Sequence, residues 1–152
     1  MTVVLVMAKA PVPGLVKTRL CPPVTPSRPP GWPPRCSTQW TPSGDTGVTP
    51  VLALAGHLAE AVDGVELTAA LAGWPVLPQR GTDLADRLAH AHLDVAETFP
   101  GRWVLQIGMD TPQPAPASLA AAVRRLEDAD AALGIAHDGG WWALGLRDPG
   151  GP

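Results

Sequence analysis

The sequence predicts an α/β fold, three-layered and built on a mostly parallel sheet, and three observations carry that prediction. Short apolar runs recur along the chain, helix-like stretches lie between them, and 152 residues at 45% hydrophobic content suffice for one domain with a sizeable core. The first run, Val3–Met7, is continuously apolar and rich in valine, the pattern of a strand covered on both faces. Further runs at Pro50–Ala55, Trp74–Leu77, Trp103–Gly108, Ala131–Ala136 and Trp141–Leu146 predict the remaining strands. Asp83–Thr98 predicts a helix with Leu84, Leu88, Ala91 and Val95 on its apolar side; Ser118–Asp128 predicts another, through Leu119, Ala122, Val123 and Leu126.

Residues 22–49 break this pattern and read as an irregular, Pro-rich segment inside the domain 1–152. Ser27–Gly47 contains no Ala, Leu, Ile, Val, Phe, Met, Glu or Lys, so it supplies neither an ordinary helix nor a strand. Two readings stand. One is a genuine Pro-rich insertion. The other is a helix lost to a local frameshift, because GC-rich codons shifted by two bases read AAAGLAAALLDTVDAVR, with the frame restored near Thr49.

The net charge of −3 gives no reason to expect nucleic-acid binding, and the opening apolar run is too short to cross a membrane. Cys21 and Cys36 form no CxxC pair, and nothing resembles a secretory leader. These features predict a cytoplasmic protein with reduced thiols. They leave the oligomeric state open.

Lys9 and Lys17 are the sole lysines of the chain, and both lie with Arg19 in the loop after the first strand. Ligands of open α/β sheets sit beyond the carboxyl ends of strands. Pro11 and Pro13 stiffen this loop, Gly14 gives it backbone freedom, and the three cations suit phosphate oxygens, although the P-loop spacing is absent. A solvated basic loop explains the same residues. Asp110 follows the fourth predicted strand, where a carboxylate can hold Mg²⁺ or Mn²⁺ or simply form a turn or helix cap. Asp138, Gly139, Gly140, Trp141 and Trp142 read as a ligand-contacting loop and as a hairpin turn with core tryptophans, two readings that are compatible. Asp83 and Asp86 suit a helix N-terminus, and Arg87 stands near enough to reach the cleft. His90 and His92 point to different faces of a helix and do not make a metal pair.

Together KAPVPGLVKTRL, QRGTDLADRL, IGMDTP and AHDGGWWALGLRDP resemble, in order and spacing, the motifs of a bacterial domain-of-unknown-function family with the glycosyltransferase-A (nucleotide-diphospho-sugar transferase) fold. Members are usually described as glycosyltransferases, some of the arsenosugar-biosynthesis type. The resemblance implies that Lys9, Gly14, Lys17 and Arg19, with Asp83 and Arg87, contact the nucleotide and its phosphates. It also implies that Asp110 holds a divalent cation, and that Asp138, Gly139, Gly140 and Trp141 line the acceptor side. Ala85, Met109 and Ile135 depart from the family pattern. Members continue for about one more strand–helix unit beyond the position of Pro152.

These expectations describe a metal-assisted glycosyltransferase, with Asp110 and Asp138 catalytic, a nucleotide sugar as donor and a small molecule as acceptor. A nucleotidyltransferase acting on a phosphorylated small molecule with an NTP is the alternative within the same fold. An inactive, truncated nucleotide-binding remnant is the alternative outside enzymology.

Overall fold

The structure is a computed structural model and describes residues 1–12, 48–61, 64–109 and 116–151. Residues 22–47 of the irregular segment, together with Gly14, Lys17, Arg19 and Asp110, lie outside the described residues.

Within them the chain forms β1 (Thr2–Lys9), β2 (Val48–Ala55), α1 (Gly64–Ala70), β3 (Val76–Pro78), α2 (Leu84–Thr98), β4 (Trp103–Gly108), α3 (Pro116–Arg125), β5 (Ala131–Ile135) and β6 (Trp141–Leu146). The strands make one six-stranded sheet in the order β3-β2-β1-β4-β6-β5. The pairs β1–β2, β1–β4 and β2–β3 are parallel, whereas β6 runs antiparallel to both neighbours. The short stretch from Ala136 to Gly140 explains this reversal: it is enough for a hairpin and too short for a crossover.

One face of the sheet carries Val4, Val6, Leu52, Leu54, Leu105 and Ile107 against Leu67 and Leu71, in and just after α1, and Leu119 of α3. The other carries Val3, Leu5, Val51, Ala53 and Val104 against Ala91 and Val95 of α2. Helices on both faces give the three expected layers. Full burial of a Val or Leu side chain contributes roughly 1.5–3 kcal/mol. Since Val3, Val4, Leu5 and Val6 are all at most 2% exposed, β1 ties the two halves of the core together.

Beyond shifts of one to three residues at the ends of β1, β5 and α3, these details differ from the sequence reading. Strand β2 begins at Val48, two residues inside the stretch read as irregular, and it contains Pro50. β3 pairs with β2 only from Leu52 onward, so the missing proline N–H costs no ladder bond on that side. β3 starts at Val76 rather than Trp74. Helix α1 has no counterpart among the predicted elements, because its seven residues bury only Leu67. In α2, Leu84 is 63% exposed in the first turn, while His92 joins Ala91 and Val95 in the interior.

Candidate functional site

The carboxyl ends of β1, β2, β3 and β4 and the β5–β6 turn lie along one edge of the sheet. Neighbouring strands are about 4.8 Å apart, so β3 lies about 10 Å to one side of β1 and β6 about 10 Å to the other. Lys9, Arg87 and the Asp138 turn therefore border a common edge, with β1 at its centre.

Lys9 is the last residue of β1 and is exposed. Its amide donates to the Met109 sulfur at 3.2 Å, and the Met109 amide donates to the Met7 carbonyl at 3.0 Å. The chain then bends over β2, where the Ala10 amide donates to the Ala55 carbonyl at 2.8 Å. Gly56, at φ +83°, permits this approach, since a Cβ there would lie 3.3 Å from that of Ala10. The described part of the basic loop is thus fastened to β4 on one side and β2 on the other.

The segment after β3 is fixed just as closely. Gln79 donates through Nε2 to the Ala8 and Ala53 carbonyls, each at 2.8 Å, while its amide donates to the Leu54 carbonyl at 2.9 Å. Arg80 pairs with Asp94 of α2, and that carboxylate raises the guanidinium pKa further. Asp83 caps α2, its Oδ1 accepting from the Asp86 amide at 2.9 Å. Asp86 reaches back to Thr82, whose hydroxyl at 2.9 Å, followed by its amide, holds the Asp86 carboxyl below the usual carboxylate range. The observed work of Asp83 is therefore capping.

Arg87 is half-buried, and its Nε donates to the Gly81 carbonyl at 3.3 Å. Gly81, at φ +125°, leaves no room for a side chain: a Cβ would sit 2.7 Å from the Asp86 Cβ and 2.8 Å from the Arg87 nitrogen. Among the described residues the two terminal nitrogens of Arg87 have no further partner. A guanidinium anchored through one nitrogen and presenting two others is suited to an anion.

The β5–β6 turn is a hairpin turn. Ala136 and Gly140 close it with a 2.9 Å backbone bond, Gly139 adopts φ +88°, and Asp138 Oδ1 accepts from the Gly140 amide at 3.0 Å. The two indoles separate in role. Trp141 is 44% exposed, whereas Trp142 packs on the α1–α3 side and lies against Gly134.

Among the described residues no group of three His, Cys, Asp or Glu side chains could hold a metal ion. His90 donates through Nδ1 to the Asp86 carbonyl, 2.8 Å away, and His92 is buried, in keeping with packing roles. No described helix is long and apolar enough to cross a membrane. Gln79 and the Met109 sulfur carry no role in the sequence reading, since Gln79 meets its partners 71 and 26 residues away, beyond any periodicity.

A solved structure from Desulfovibrio desulfuricans G20, provisionally named a nucleotide-diphospho-sugar transferase, is similar to the whole of this chain, with a TM-score of 0.67 and 26% identity. This chain spans 66% of that protein's length. Among curated proteins none matches the sequence at a significant level. The model of a family described as uncharacterized proteins conserved in bacteria (DUF2064) matches residues 42–151, which is most of the chain, and the protein belongs to that family.

Proposed function

We propose that this protein is a glycosyltransferase that moves a sugar from a nucleotide diphosphate sugar to a small-molecule acceptor. The observation that carries the reading is the anchored Arg87 fork on the same sheet edge as Lys9, in a fold similar to a provisionally named nucleotide-diphospho-sugar transferase. In this reading Lys9 and Arg87 bind the diphosphate and offset the charge that grows on it as the bond between the sugar carbon and the phosphate oxygen breaks. The acceptor hydroxyl oxygen forms the new bond to that carbon. Asp138, in water at the hairpin turn, orients the hydroxyl and takes its proton. Trp141 offers an exposed ring face to a sugar.

Gly14, Lys17 and Arg19 extend the phosphate-binding set in this proposal, and Gly139 and Gly140 the acceptor side. A divalent cation, Mg²⁺ or Mn²⁺, belongs to the proposal through Asp110, where it would screen the diphosphate. The described residues offer no cluster of ligands for it, so no step is routed through a metal.

The test is transfer from a panel of UDP- and GDP-sugars to small hydroxylated acceptors, with Mn²⁺ or with EDTA. Release of UDP or GDP together with a glycosylated product is expected. Folded protein that neither transfers nor hydrolyses any donor would refute the reading, and release of pyrophosphate from an NTP would replace it with nucleotidyl transfer.

A further inference from the structure

We propose that Gln79 is a positioning residue that fixes the spacing between the two cationic segments, and that this spacing selects a diphosphate over a monophosphate. The inference rests on the nucleotide reading above and sharpens it. Two backbone carbonyls face the Gln79 side chain, Ala8 on β1 and Ala53 on β2, each at 2.8 Å. Only the amide nitrogen can donate to both, so the orientation of this carboxamide is set by its surroundings. Ala8 directly precedes Lys9, and Gln79 directly precedes the Arg80–Arg87 segment that anchors the guanidinium fork.

One side chain therefore ties the strand end bearing Lys9 to the chain bearing Arg87. Among the described residues, further hydrogen bonds link these segments through β2, by way of the Gln79 amide at the Leu54 carbonyl and the Ala10 amide at the Ala55 carbonyl. Without the Gln79 carboxamide, the hydrogen bonds among the described residues join β1 to the approach to α2 through that intermediate strand, while the apolar packing of α2 on β1 does not set the position of the loop ends. Two cations at a fixed separation recognise a pair of linked phosphates better than a single one, because both contacts form without further ordering. Cations free to shift lose that distinction first.

The experiment compares binding of UDP with UMP, and GDP with GMP, to the full chain by calorimetry. The variants are Gln79→Met, which keeps volume and removes the donor, and Gln79→Asn, which is too short to span both carbonyls. The wild type is expected to favour the diphosphate by about tenfold or more. Gln79→Met should shrink that ratio by roughly tenfold, as loss of two hydrogen bonds allows. Lost fold stability by itself would weaken both ligands alike and leave the ratio unchanged.

An unchanged ratio in a folded variant would overturn the positioning role while the nucleotide reading stands. So would a wild-type ratio of one. Absence of all nucleotide binding by folded wild type would overturn the nucleotide reading and this proposal with it. Should Gln79→Met fail to fold, Gln79→Asn carries the comparison; failure of both would assign Gln79 to stability alone and overturn the proposal.

Discussion

The backbone amide of Lys9 donates to the thioether sulfur of Met109 at 3.2 Å, joining the carboxyl ends of β1 and β4 at the centre of the candidate cleft. A small residue at position 109 would leave that amide without its sulfur. Met109→Ala is therefore expected to lower stability by about 1–2 kcal/mol, through a lost hydrogen bond and lost packing at a half-exposed site. Nucleotide affinity should fall with it. Thermal melts with and without UDP or GDP check both effects, and a variant as tight-binding as wild type would show that the sulfur contact does not shape the loop.

Arg87 anchors through Nε, and its terminal nitrogens have no partner among the described residues. Arg87→Ala is expected to weaken nucleotide binding by about tenfold or more, with little change in melting temperature, because the residue is only half-buried and carries no ion pair among the described residues. Arg87→Lys should not rescue affinity, since an ammonium cannot hold the Gly81 carbonyl and present a fork at once. Full rescue by lysine in a titration would show that charge alone suffices there.

His92 is 4% exposed, and neither ring nitrogen has a partner among the described residues. Burial pushes its pKa down from 6.5 to about 4. Above pH 6.5 the ring is neutral both folded and unfolded, and it contributes no pH dependence. As pH falls below 6.5 the unfolded chain takes up the proton first, so stability is lost progressively until about pH 4. At about 1.4 kcal/mol per pH unit, the full span corresponds to roughly 3 kcal/mol. His92→Leu should flatten the melting temperature between pH 6.5 and 4, and raise it at neutral pH by removing two orphaned nitrogens. Identical pH profiles for the two proteins would contradict this.

Gly134 faces the Trp142 indole so closely that a Cβ would lie 2.6 Å from Cε2 and Nε1. Gly134→Ala is expected to cost about 1–3 kcal/mol, because either the indole or the β5 backbone must move. Tryptophan fluorescence and the melting temperature should change together. A silent substitution would mean that Trp142 repacks freely.

Several parts of this organisation were legible along the chain. The continuous apolar run of Val3–Met7 could only satisfy its side chains by burial on both sides, and the fold uses it as the strand between two layers. The four-residue rhythm of Asp83–Thr98 located α2, yet it misplaced one side of the helix. Leu84 fits the apolar pattern but lies in the exposed first turn, whereas His92 breaks the pattern and is interior. Periodicity reports which residues share a face; it does not report where the covering sheet stops.

Residue types and short-range order were thus decided locally: apolar runs must leave water, a five-residue connection must turn back, and an aspartate before a helix caps it. Only the tertiary structure decided that Trp141 meets solvent while Trp142 packs inside, and that Gln79 bridges two strands. The physical reason is range. Those outcomes depend on hydrogen bonds and contacts between residues up to 71 positions apart, which no local pattern encodes until parallel strands bring their carboxyl ends to one edge.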